Sequence, residues 1–451
     1  MKITFHKLFM LGLLLAAIRP GALSAQEYFS TLGAPSSLNT IQPLARPTSQ
    51  ATADTNNAAE RIDSYTPGLP QTPTGDDKYN MAIGPVHLGL AAGVGIGYND
   101  NINLAPSNGN KASGWFFAPS VTLDASYRLS EMNTLHFSLG ASYLNYPNNS
   151  EFDTRGILLS PNSELAFTFF VGHVGITVRD RFSYQDDPFV SPTLTTTSGN
   201  NYGRFENLAG IQADWAVNEY FNLSGGFDHY NLWTFDNTYN SLARSINTVY
   251  IKPSYQITPS IAVGLDASAA FVTFQENVQN DGNSYLVGPF INATVSENTN
   301  VYAEVGYQDF TFKHNGTIND QSDSSSWYAR VSIANRLSEA FSQRLTFSKL
   351  AEAGYGTNFY DLYNLEYAAD WKIMQNLTLD PSLFYQHYQT STPDFQTRET
   401  GNRYGAAIGL RYVLTASLTL GLDYRYIYNN ANQANQDYRQ NLILFSVFYN
   451  F

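Results

Sequence analysis

Leu442-Ile443-Leu444-Phe445-Ser446-Val447-Phe448-Tyr449-Asn450-Phe451 stands at the end of the chain, and its reading decides the fold. Ile443, Phe445, Val447, Tyr449 and Phe451 recur at period two, the spacing at which a β-strand sends side chains to one face. That face is apolar enough for lipid, and the last residue is aromatic. A soluble domain seldom stops mid-strand on its most apolar face. The stretch predicts the closing strand of an outer-membrane β-barrel, with Phe445, Val447, Tyr449 and Phe451 as an assembly signal read by barrel-assembly machinery.

The opposite end agrees. Lys2 and Lys7 precede an apolar run over residues 8–18, and Ala22-Leu23-Ser24-Ala25 supplies small residues for cleavage. Residues 1–25 therefore read as a secretory signal peptide. The apolar run falls short of the roughly 20 residues a spanning helix needs, so a helical membrane protein is excluded. With Cys 0, no disulfide framework or thiolate metal site is available. The chain is 14% aromatic yet only 14% charged, the mixture produced by aromatic girdles, an apolar outer band and a polar lumen. A net charge of -13 argues against a nucleic-acid partner, which would demand a basic surface.

Residues 26–83 are rich in Pro, Thr, Ser, Ala and Asn, as in Pro70-Gln71-Thr72-Pro73-Thr74-Gly75. Such a stretch buries too little apolar area to offset its ordering entropy, and it reads as a flexible periplasmic tether or a plug entering the lumen. Periodic structure is expected from Gly84, giving a barrel over residues 84–451. There the chain repeats a unit of roughly 40 residues: strand, tight turn, strand, longer polar loop. The turns fall at Ser130-Glu131-Met132-Asn133, Val171-Gly172-His173, Asn218-Glu219-Tyr220, Thr258-Pro259-Ser260, Glu297-Asn298, Ser338-Glu339-Ala340, Met374-Gln375 and Thr415-Ala416. In a closed up-and-down antiparallel barrel with both termini on one side, these turns require about 18 strands.

Strand faces alternate as this demands. Leu418, Leu420, Leu422, Tyr424, Tyr426 and Tyr428 share one face, and Thr419, Gly421, Asp423 and Arg425 the other. Lys349 interrupts the apolar face of Leu345 and Phe347, which calls for a bulge or for a side chain that snorkels. Parity assigns Asp124, Asp228, Asp266, Glu304, Asp380, Arg411, Asp423 and Arg425 to the lumen as pore-lining candidates. Arg411, Arg425 and Asp423 also suit a local salt-bridge network. The expected outer loops cover residues 99–113, 147–156, 186–203, 234–244, 275–283, 313–325, 356–360, 390–401 and 429–437. The third is the longest, and its Asp186 and Asp187 are the candidates for a constriction, with a solvated surface loop as the alternative.

The barrel region holds six histidines, His87, His136, His173, His229, His314 and His387. No Gly-x-Ser-x-Gly elbow, His-Glu-x-x-His helix, phosphate loop or metal-spaced cluster occurs in the sequence, so no enzyme, metal or cofactor is expected. His136 and Ser138 share a strand face, a coincidence common among lumen residues. The glycines Gly89, Gly93, Gly95 and Gly97 read as a barrel-curvature device.

Gly95-Ile96-Gly97-Tyr98-Asn99-Asp100-Asn101-Ile102 resembles the opening of the putative β-barrel porin 2 family, whose first strand ends in a similar segment. The resemblance spans residues 84–451 and implies an outer-membrane location and a pore; members near exopolysaccharide genes are thought to help export polymers. It brings no catalytic residues. The expectation is thus an all-β barrel in outer-membrane lipid, serving passive diffusion of small hydrophilic solutes or ions, with a homo-oligomer left open. An exopolysaccharide-export barrel, and a structural or adhesive protein with an occluded lumen, remain as alternatives.

Overall fold

The computed structural model describes residues 81–130, 133–160, 163–188, 201–354, 356–392, 398–433 and 436–451. The expected signal peptide, nearly all of the expected leader, and the turn residues Glu131 and Met132 lie outside them. The fold is a closed antiparallel barrel of 18 strands. In chain order these are β1 (Val86–Asn99), β2 (Gly114–Arg128), β3 (Thr134–Ser142), β4 (Glu164–Val171), β5 (Val174–Pro188) and β6 (Asn201–Ala216). They continue as β7 (Phe221–Thr234), β8 (Arg244–Thr258), β9 (Ile261–Phe274), β10 (Gly282–Ser296), β11 (Thr299–Phe312) and β12 (Ser324–Ser338). The last are β13 (Phe341–Ala353), β14 (Phe359–Met374), β15 (Leu377–Thr390), β16 (Thr400–Val413), β17 (Leu418–Ala431) and β18 (Tyr438–Asn450). Met81–Ile83 adds a short strand against the start of β1, slightly before the Gly84 expected from periodicity.

Each strand pairs with the next, and β18 pairs back onto β1 from Asn450↔Ala91 to Leu442↔Asn99. Every tight turn read from the sequence joins consecutive strands on one rim. The opposite rim carries the longer loops, the arrangement in which short turns face the periplasm. Glycine in β1 has a packing reason beyond curvature. A Cβ on Gly93 would lie 2.3 Å from the Phe448 ring, and one on Gly97 2.3 Å from the Phe116 ring. Inward aromatic rings from both neighbouring strands cover the β1 backbone.

The outer surface follows the predicted alternation. Val94, Ile96, Leu265, Val287, Val305, Leu383, Ile408, Leu422 and Phe445 are all exposed large hydrophobics on the outward parity. In water a belt of this extent would be an aggregation liability; in lipid it is the solvent-matched face. Aromatic pairs edge it, with Tyr98 against Trp115, Tyr385 against Tyr404 and Tyr404 against Tyr428 near the loop rim, and Tyr220 against Tyr255 near the turn rim. Lys349 snorkels. Its Nζ reaches Asp361 Oδ1 at 3.0 Å and Ser326 Oγ at 2.6 Å, with the Trp327 ring 5.6 Å away.

The loop expectations need correction at one point. β5 and β6 stay paired through Asp186↔Gly203 and Pro188↔Asn201, so Asp186 and Asp187 are strand residues and not part of a free third loop. Residues 189–200 lie outside the described residues. The connection from β3 to β4, residues 143–163, is longer than those 12 or so positions, and it holds the short helix Ser150–Phe152 and the strand Leu158–Leu159.

Candidate functional site

All eight parity candidates lie on the inward side of the wall, and the structure sorts them into separate islands. Asp228 on β7 accepts two bonds from Arg179 Nη2 on β5, at 2.9 and 3.0 Å. Asp266 on β9 takes Lys252 Nζ of β8 at 3.1 Å, and Arg330 of β12 stands 4.0 Å from the same carboxylate. Glu304 on β11 takes Arg330 Nη1 at 3.3 Å and the Tyr328 hydroxyl at 2.6 Å, and Tyr302 donates to it as well. Asp266 and Glu304 are therefore one network, roofed by Phe290 and Tyr302, whose rings lie 4.4 and 4.9 Å from Lys252 Nζ. On the far side of the barrel Arg411 Nη2 donates to Asp423 Oδ1 at 2.6 Å, and Arg425 Nη2 to Gln440 Oε1 at 2.9 Å. Asp380 on β15 lies in register with Gly409, whose other neighbour is Asp423, so it belongs beside the Arg411–Asp423 pair. Asp124 is buried on β2 opposite Ser138.

Parity alone did not name the cations that neutralise these acids. Arg179, Lys252 and Arg330 are each under 5% exposed and sit among the acids they pair with. The same alternation that picked Asp228 and Glu304 would have picked Arg179 and Arg330. What sequence lacks is the register between distant strands, which makes a partner of a residue tens of positions away. Another pair, Arg181 with Glu164, joins β5 to β4. Buried ions at these distances neutralise each other locally and leave little one-sign field along the wall.

Above this charged middle, toward the loop rim, the inward face turns apolar. Along β9 the inward residues climb from Asp266 through Ser268 to Ala270, Val272 and Phe274. Along β11 they run from Glu304 through Gln308 to Phe310 and Phe312. Two chain segments fold onto this upper wall. The first is the long β3–β4 connection, whose Leu144, Tyr146, Phe152 and Leu158 pack on inward Phe116, Ala118, Leu442 and Leu444. Asp153 organises it, accepting from the backbone N of Tyr146 at 2.5 Å and from Asn145 Nδ2 at 2.9 Å. Arg155 fastens it to the wall at Asp186, 3.0 Å away. That hydrogen bond and the adjoining negative charge raise the Arg155 pKa above its ordinary value.

The second is the tip of the β13–β14 hairpin. Ala351, Ala353 and Phe359 join a cluster with Leu232, Leu242, Ile246, Val272, Phe274, Phe310 and Phe312, residues of strands and a loop well around the barrel from β13. The tip also meets the loop after β9, where Asn280 Nδ2 donates to Asn358 Oδ1 at 2.8 Å. Asp320, wholly buried, ties the same loops through the Asn358 backbone N at 2.8 Å and Ser391 Oγ at 2.5 Å. Residues 189–200 of the third loop, where a constriction was expected, lie outside the described residues. Asp186 contributes as an anchor, and the Asp187 side chain lies outside what is described.

Among the described residues no group of His, Cys, Asp and Glu is placed to hold a metal ion. His136 and Ser138 stand on the inward face of β3, Ser138 between Asp124 and Glu164 in register.

A family described as putative beta-barrel porin 2 has a model that matches residues 340–451, which adds the last six strands to the first-strand motif that carried the resemblance. Among solved structures, the chain is similar to Pseudomonas aeruginosa OccK2 (OpdF) in complex with glucuronate, at 11% identity and TM-score 0.45, over 81% of this chain and 98% of that one. It is similar to a BenF-like porin from Pseudomonas fluorescens Pf-5 at 10% identity and TM-score 0.46, over 82% and 100%. Acinetobacter baumannii OccAB3 stands at 11% identity and TM-score 0.45, over 81% and 99%. No curated protein matches the chain.

Proposed function

We propose, with the porin family match over the last strands as premise, that this chain is a Gram-negative outer-membrane channel for passive diffusion of small hydrophilic solutes or ions. The observation that carries the reading is the contrast between the two faces of one closed sheet. Its outside is an apolar belt, and its inside holds ions and amides that neutralise one another along the wall. A barrel of 18 strands is wide enough to leave an aqueous path, as porins of that size do. Selection would be by width and by local charge, with Asp124, Asp228, Asp266, Glu304, Asp380, Arg411, Asp423 and Arg425 lining the path. A channel is favoured over an enzyme.

Polymer export fits less well, because a chain of sugars needs a continuous stripe of charged or aromatic groups and the inward ions form islands. Conductance of the mature protein in a planar bilayer under a salt gradient tests the reading, repeated without residues 26–83. Discrete steps in both forms support a channel with a tethered leader. Steps that need leader removal make the leader a plug, and silence in both removes the channel reading in favour of a structural or adhesive role.

A further inference from the structure

Resting on that channel reading, we propose that the tip of the β13–β14 hairpin is a gate with two seats, the inward one seen here and an outward one in which β13 zips onto β12. Pairing between these strands stops at Ala329↔Lys349, although β12 extends to Ser324 and β13 to Ala353. Beyond that point β13 leaves the wall and leans inward over β11 and β12. Leu350 packs on the inward Leu286 and Tyr328, and the Phe359 ring faces Phe312 at 6.3 Å. Gly356 N donates to Gln279 Oε1 at 3.2 Å in the loop that follows β9.

A side chain stands in for the missing strand. Gln308 of β11 donates from Nε2 to Ala351 O at 2.9 Å, and its Oε1 accepts from Ala351 N at 2.9 Å. Those are the two bonds an antiparallel partner would make. The tip is therefore satisfied inward without belonging to the sheet.

The outward seat is already laid out. Continuing the register past Ala329↔Lys349 sets Tyr328 opposite Leu350, Trp327 opposite Ala351, Ser326 opposite Glu352 and Ser325 opposite Ala353. These four β12 residues are extended and paired with Gly306, Tyr307, Gln308 and Asp309 on their other edge. Their second edge is thus held in strand form without β13, and an unpaired edge beside a membrane is a standing invitation to pair. Lys349 is the pivot, since its Nζ ties Ser326 of β12 to Asp361 of β14 at the last paired position.

The two seats trade one interaction for another. Inward, the tip buries apolar side chains but places the Glu352 carboxylate, 2% exposed, at the Tyr360 hydroxyl 2.5 Å away. Outward, the ladder gains backbone bonds and the carboxylate leaves the apolar cluster, while Phe359 loses its packing. Opposed terms of similar size are what a two-position element requires. The outward seat clears the apolar upper lumen, so it is the conducting one.

Engineered disulfides test this cleanly, because the chain has Cys 0. Ser325→Cys with Ala353→Cys can close only in the outward seat; Asn280→Cys with Asn358→Cys can close only in the inward one. Gel mobility reads disulfide formation, and bilayer conductance reads its effect. We expect both pairs to form, the first raising conductance several-fold over its reduced state and the second holding it at or below. A first pair that stays reduced in folded barrels, or two oxidised pairs of equal conductance, overturns the gate. If both pairs form and every version is silent, the two seats stand and the channel reading falls. Gln308→Leu, which needs no cross-link, should lengthen open dwell times several-fold; unchanged dwell times count against the gate.

Discussion

Gly210 shows what single residues hold in the inner wall. A Cβ there would lie 2.0 Å from Asp228 Oδ1 and 3.2 Å from Arg179 Nε, so the missing side chain is the space the ion pair occupies. Both ions are nearly unexposed, at 3% and 2% of their side chains. Gly210→Ala should displace Asp228 from Arg179 and destabilise the barrel by about 3 kcal/mol, the scale for separating buried ions. Urea unfolding followed by gel mobility would show it, and a double replacement of both ions by apolar residues should recover most of the loss. Glu399, outside the strands, behaves differently. Burial raises its carboxyl pKa, and the Tyr388 hydroxyl at 3.1 Å does not fully offset this. Its folded value lies above its unfolded one, so its contribution is present in full below the unfolded carboxylate range of about 4.3 and is lost as pH rises through the folded value. Glu399→Gln should remove that loss, flattening the stability profile on the rising-pH side, and an unaltered profile would show the group is solvated. Strand parity made Asp228 and Glu304 legible as inward residues because period two needs no knowledge of neighbours. Arg179 and Lys252 escaped because pairing depends on register between strands.

Among elements, the segment from Asn99 to Ile102 has the clearest mechanical part. Asp100 accepts from the backbone N and Nδ2 of Asn441 at 2.6 and 2.7 Å. Asn101 Nδ2 donates to the carbonyls of Ala105 and Arg439, both at 2.9 Å, while its Oδ1 accepts from Ala105 N at 2.8 Å. These bonds clasp β1 to β18 where the sheet closes. Asn101→Ala leaves buried backbone groups without partners and should cost about 1–3 kcal/mol. Hydrogen exchange should rise along 438–443 and stay unchanged in β8 and β9; uniform loosening would deny the clasp its local role. The motif was visible in the sequence, but its partner lies more than 300 positions away. Tight turns were legible because Gly, Pro, Ser and Asn punctuate a two-residue rhythm. The inward lean of β13 was not, since Leu350-Ala351-Glu352-Ala353 keeps a strand rhythm whether its neighbour is β12 or the Gln308 amide.

For the molecule as a whole, the net charge of -13 and the locally paired wall make different claims about ions. A channel governed by total charge would prefer cations strongly. A channel governed by its wall would select weakly, because Arg411 with Asp423, Lys252 with Asp266, and Arg330 with Glu304 each cancel over about 3 Å, well inside the roughly 8 Å screening length of physiological salt. The wall should win, since loop charges face bulk solvent where they are screened. Arg411 and Asp423 give the deciding case, being partly accessible at 13% and 14% of their side chains. Asp423→Asn takes from Arg411 the carboxylate it bonds at 2.6 Å and should move the reversal potential toward anions. Glu276→Gln removes the same unit of charge from an exposed loop position and should leave the reversal potential near its starting value. Equal shifts in the two variants would mean that total charge sets selection and would leave the wall a structural lining.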